Sequence, residues 1–288
     1  NIMSYHGWSL MLLCLMAAIN PLLATPQKKL FLGANWKCSL ETTQEVDALV
    51  QELNSMWMSL SRKEQEVVEL CVHPPYCFVD RVRSRLAKDI AVGSQNVFDC
   101  RGPNQGNTGA VTTRMLQEIG CESVLLGHSD RRNILGENDD LISAKIRVSL
   151  DAGLNVVLTI GELKWQRRWG LAVYTLRKQL RAVAKVVKPD EWHRIVVAYE
   201  PVWAVGEGAT PCSPPEAQRI HTALRQCIEH TAGPDAAGQC RLVYTGSVTA
   251  DNADAYAQQT EVEGFVVGRA GLDMTQLRSI IATLAQKD

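Results

Sequence analysis

The chain has 288 residues, 46% of them hydrophobic, which suffices for one large domain with a sizeable core. Its 30 Lys+Arg stand against 31 Asp+Glu for a formal net charge of -1, so no chain-wide basic field is offered to nucleic acid, and a nucleic-acid partner is not expected. Nine cysteines show no CxxC or Cys/His spacing, which argues against a metal site and a disulfide framework.

In chain order, the first segment is "WSLMLLCLMAAI" from Trp8 to Ile19, followed by "NPLLATP" with small residues near Ala24. The run is too short to cross a bilayer and suits the apolar core of a signal peptide, although Lys and Arg are lacking before it. Residues 1–28 are therefore read as a leader, with cleavage of a signal at 3–24 leaving a mature chain that begins near Thr25 and for which no membrane partner is expected. From Lys29 onward, short apolar runs alternate with helical patterns: "KLFLGAN" (Lys29), "VVELCVH" (Val67), "IAVGSQ" (Ile90), "SVLLG" (Ser123), "NVVLTI" (Asn155), "RIVVAY" (Arg194), "CRLVYT" (Cys240) and "EGFVVG" (Glu263). Continuous Val/Ile stretches mark strands buried on both faces, as parallel strands covered by helices are. Cys71, Cys121 and Cys240 fall in or beside these runs and should pack as small hydrophobes.

The intervening segments predict helices. One begins near Asn138 and ends at Gly153. Val173, Leu176, Leu180, Val183 and Val187 form one apolar stripe, and "WQRRWG" at 165–170 reads as a solvated helix start. "SPPE" at Ser213–Glu216 predicts a capping box with proline at the first helical position, continued by the apolar face Ala217, Ile220, Leu224 and Cys227. Eight βα units without a linker predict a single α/β domain over 29–288, a closed (βα)8 barrel rather than a doubly wound sheet.

A barrel places its working residues just after its strands. Lys37 in "NWKCS", His128 in "GHSDRR" and Glu200 in "EPVWAVGEG" follow three different strands and can meet at one mouth. A cation, an imidazole and a carboxylate converging there suit proton transfer beside a carbonyl.

In this order, "NWK", "GHSDRR", "IGE", "AYEPVWAVG" and "GSV" resemble triosephosphate isomerase, from Lys29 to the C-terminus. The resemblance implies a TIM barrel and an isomerase of glycolysis and gluconeogenesis, interconverting dihydroxyacetone phosphate and D-glyceraldehyde 3-phosphate without metal or cofactor. It implies Glu200 as the base, neutral His128 polarising the carbonyl, and Lys37 with Asn35 supplying charge and a hydrogen bond. Gly206, Ser247 and Gly268 would cradle the phosphate, with "PVWAVGEG" as a lid. A homodimer and a cytoplasmic site follow from the family, the secretory pathway being the alternative if the leader is a signal. The alternative function is a diverged paralogue acting as a binding protein.

Several residues depart from the family pattern. Asp130 replaces glutamate, Thr159 a cysteine, Thr245 and Arg269 glycines, and Glu207 and Ala209 a threonine and a lysine; one extra residue lies near Cys212. "GNTGAV" at 106–111 reads as shorter than the family's third loop, which weakens the expected dimer. If Arg269 requires φ > 0, its side chain strains the loop by roughly 1–3 kcal/mol, and Arg269→Gly should then improve phosphate binding.

Overall fold

The computed structural model describes residues 28–98, 107–206 and 210–287. The expected leader lies outside them, apart from Lys28, as do 99–106, which hold the start of the third-loop stretch, and Glu207 and Ala209. No helix among the described residues is long and apolar enough to cross a membrane.

Every predicted strand forms: β1 (Leu30–Asn35), β2 (Val68–His73), β3 (Ala91–Ser94), β4 (Ser123–Leu126), β5 (Asn155–Ile160), β6 (Ile195–Tyr199), β7 (Arg241–Thr245) and β8 (Gly264–Val267). They pair in sequence order as a closed parallel barrel, with Leu32 of β1 opposite Phe265 of β8 at the seam. Alternate residues point to opposite faces of a strand. Phe31, Cys71, Leu125, Val157, Val196, Val243 and Val266 accordingly fill the interior. Their neighbours Leu32, Leu70, Val124, Leu158, Val197 and Leu242 pack outward, in the cluster that includes the helices' buried faces.

One polar group interrupts the inner filling. Ser123 Oγ lies 3.2 Å from Cys71 Sγ and 3.3 Å from His73 Nε2, all three side chains being buried. Gly93 makes the room, since a Cβ there would stand 2.5 Å from the His73 ring. Gly264 at the start of β8 has φ 136, and an added Cβ would run into the Phe31 carbonyl of β1, so only glycine permits the seam to close there.

The predicted helices form at Asp139–Asp151, Ala172–Ala184 and Pro214–Ala232, with Leu176, Leu180 and Val183 of the second, and Ala217, Ile220, Leu224 and Cys227 of the third, buried. The capping box at Ser213 does not form: Ser213 is the N-cap, but its hydroxyl makes no cap hydrogen bond. The Glu216 carboxylate is drawn instead to Arg219 and Arg167, which hold it down at about 2. Among the described residues seven cysteines carry free thiols, and burial pushes those of Cys121 and Cys240 up to about 12. The five buried ones are inert packing groups, whereas Cys38 and Cys77 are exposed.

Two fully buried histidines make stability pH-dependent. Burial pushes His73 down to about 3 and His221 to about 4, so both rings are neutral in the fold. The unfolded chain takes up both protons near the ordinary value of ~6.5, so their contribution is complete above that pH and is lost as pH falls, at about 1.4 kcal/mol per unit for each ring. The unfolding free energy should therefore drop between pH ~6 and ~4.5, and in His221→Gln by about 1.4 kcal/mol per unit less. Urea titrations at several pH values check this; an unchanged slope in the variant would count against it.

Candidate active site

At the C-terminal ends of the strands lies a cavity of about 480 Å³. Asn35 and Lys37 reach it from the end of β1, His128 from beyond β4, Glu200 and Gly206 from beyond β6, Ser247 from beyond β7 and Gly268 from beyond β8. All seven residues singled out in the sequence thus share one space.

Lys37 has φ 49, the one positive value at a non-glycine among the described residues. Such a backbone costs of order 1–3 kcal/mol and persists only when its surroundings enforce it. Here Asn35 Oδ1 accepts the Lys37 N–H at 3.1 Å, and Gln95 Nε2 donates to the Lys37 carbonyl at 2.7 Å and to that of His73 at 2.9 Å. The ammonium lies 3.3 Å from Asp130 Oδ2, a long and half-exposed pair consistent with the shorter acid at this position.

The Asp130 N–H donates to His128 Nδ1 at 3.1 Å. With Nδ1 accepting that bond the ring carries its proton on Nε2, although Asp130 Oδ2 also stands 3.3 Å from Nδ1. That Nε2 faces Glu200 Oε1 at 3.2 Å. Glu200 is 2% exposed, and its carboxylate accepts from the Ser129 N–H and the Ser129 hydroxyl, both at 2.9 Å. Its backbone is equally constrained: the Glu200 N–H bonds Ile160 at 2.8 Å, and a Cβ on Gly161 would run into the Glu200 carbonyl. A ligand that engages this carboxylate must take it from Ser129.

The opposite end of the cavity suits an anion. Gly206 has φ 111, which glycine supplies without strain. The backbone N–H groups of Ser247 and Arg269, on the loops after β7 and β8, donate to no acceptor among the described residues. Arg269 does not take positive φ and opens a short 3₁₀ turn at Arg269–Leu272, so the strain expected of this replaced glycine is absent. Its exposed guanidinium lines the cavity and enters no ion pair among the described residues. Thr245 also lines the cavity and is almost buried.

Three further residues shape the site without having been assigned from sequence. Ser129 sits inside "GHSDRR" and Gln95 is the first residue after β3; neither announces that its partner is a carboxylate or a carbonyl elsewhere. Glu162, from "IGE", is fully buried and accepts from Trp203 Nε1 at 2.7 Å and Tyr199 OH at 3.1 Å. Burial raises its pKa above the ordinary carboxylate range. Arg167 stacks 4.3 Å over the Trp203 ring, so the start of the segment after Glu200 is held from two sides.

Residues 30–284 match the family model described as triosephosphate isomerase. The chain is 36% identical over 259 residues to a chloroplastic triosephosphate isomerase of Secale cereale, covering 90% of this chain and 83% of that one. It is 38% identical over 245 residues to a cytosolic one of Oryza sativa subsp. japonica, covering 85% and 93%. To a cytosolic one of Stellaria longipes it is 37% identical over 261 residues, covering 90% and 98%.

Gln95→Leu leaves the carbonyls of Lys37 and His73 without their side-chain donor. A lost buried hydrogen bond of this kind costs about 1–3 kcal/mol, which a urea unfolding curve should register. An unchanged midpoint would show that Gln95 does not hold Lys37.

Proposed function

Since the chain belongs to the triosephosphate isomerase family and interconverts dihydroxyacetone phosphate and D-glyceraldehyde 3-phosphate, we propose that the reaction runs in the cavity shared by Lys37, His128 and Glu200. The observation that carries this reading is their convergence from three strand ends in one space.

In the proposed mechanism Glu200 leaves Ser129 and removes a proton from the carbon beside the carbonyl. The His128 Nε2–H then donates to the carbonyl oxygen as it becomes an enediolate, and the ring moves the proton between the two oxygens. Lys37 and Asn35 stabilise the developing negative charge. The phosphate rests on the N–H groups of Gly206, Ser247 and Gly268, joined by the Arg269 guanidinium. A turnover-free binding protein is disfavoured by the retention of all three reactive groups in contact distance of one another or of one cavity.

We further read residues 1–28 as a leader preceding a barrel at 29–288, and the working form as a homodimer, in the cytoplasm by family role or in the secretory pathway if residues 3–24 are a signal. Ile134 and Leu135, which are 76% and 60% exposed beside the site, support a second copy, because adjacent bare aliphatic side chains on a surface favour association.

Glu200→Gln should reduce kcat by at least about 10²–10⁴-fold with the fold intact, because an amide cannot accept the carbon-bound proton. A coupled assay for glyceraldehyde 3-phosphate measures this, and near-normal turnover would remove Glu200 from the role. Arg269→Gly should raise KM about two- to fivefold with little change in kcat, as loss of an exposed charge pair does. A lowered KM would mean that the side chain crowds the phosphate instead.

A further inference from the structure

The segment from Lys164 to Lys188 contains eight Lys and Arg and no Asp or Glu, which leaves 22 Lys+Arg against 31 Asp+Glu in the rest of the chain. It forms the helices Lys164–Arg168 and Ala172–Ala184 on the outside of the barrel. The second helix turns Ala172, Leu176, Leu180 and Val183 inward. Tyr174, Lys178, Arg181 and Lys185, at i, i+4, i+7 and i+11, therefore lie along its solvent face, and all four are exposed. Of the eight cations only Arg167 enters an ion pair among the described residues, chiefly with Glu216.

Beside these cations stand apolar groups that the barrel does not use. Trp165 is 54% exposed, Trp169 74% and Tyr174 69%, and Leu171 between them is also exposed. Trp165 and Trp169, four residues apart, share one side of their turn. A groove runs beside the stripe, walled opposite by Asp140 and by Asp139, the latter already held by Arg132.

We propose that this face docks on an anionic phospholipid surface. Tryptophan and tyrosine settle at the headgroup level of a bilayer, one end apolar and the other wet, while neighbouring Lys and Arg meet the lipid phosphates. Here the two tryptophans and Leu171 stand at one end and the cations run away from them along a helix. That order sinks an apolar tip among headgroups with the charges spread over the surface. A nucleic acid strand would need aromatic rings spaced along its charged track. A flexible polyanion following the protein surface would also soon meet the acid excess of the rest of the chain.

The test uses the full chain and vesicles of phosphatidylcholine with and without phosphatidylserine, at low salt and at ~1 M salt, where screening shortens charge interactions to about 3 Å. Binding is expected only with phosphatidylserine, with a blue shift of tryptophan emission and release by salt. Trp165→Ser with Trp169→Ser, and Lys178→Glu with Arg181→Glu, should each weaken it at least about tenfold and leave isomerase turnover unchanged. Absence of binding overturns the proposal, as does capture by heparin alone. Binding that survives all four substitutions also overturns it and assigns the affinity to the apolar N-terminal run. Turnover measured in the same samples reports separately on the active-site reading.

Discussion

A closed parallel barrel leaves its strands neither a free edge nor a free face. Apart from the exposed Asn155 that opens β5, the side chains of β1 to β8 point into the packed interior or against the helices, so chemistry is confined to the residues just past the strand ends. The cavity is ringed by the chain exits of β1, β4, β6, β7 and β8, and its residues inherit their positions from strand register. Asn35 lies opposite His73 across β1 and β2, and Glu200 follows a strand locked to β5 over five residue pairs. The end of the cavity that suits an anion is the part placed by loops.

That origin explains what was legible in the sequence. The eight apolar runs read as strands because burial on both faces removes polar residues from them, and the end of each run marks where a working side chain can stand. Lys37, His128 and Glu200 are visible for this reason, before any comparison. What stayed hidden depends on distance in three dimensions. Ser129 gives no local sign of bonding Glu200, and Gln95 none of bonding Lys37. The capping box at Ser213 was misread because local pattern cannot know that Glu216 faces Arg167 and Arg219. Arg269 looked strained only through the assumption that a glycine position must carry glycine's backbone angles; the loop after β8 is built so that it does not.

The site holds its groups in a resting arrangement. Glu200 accepts from Ser129 and faces His128, and it sits on a strand end that fixes its main chain. Under the proposed mechanism, reaching a substrate is a side-chain rotation that exchanges one set of donors for another. Glu162 and Arg167 brace Trp203 just downstream, so the segment that follows Glu200 departs from a firm base even where its tip continues beyond the described residues.

The left-handed backbone of Lys37 has a consequence for affinity. Its two side-chain anchors, Asn35 and Gln95, act within the folded chain and involve no ligand. The conformational entropy of ordering this main chain is therefore lost once, during folding, and is not charged again to each encounter. In the proposed role of Lys37, an incoming dianion meets a cation whose main chain is already fixed, and only the side chain remains to be ordered. On that reading, marginal stability surrendered by the barrel reappears as tighter capture of a small, highly hydrated ligand that offers little apolar surface of its own.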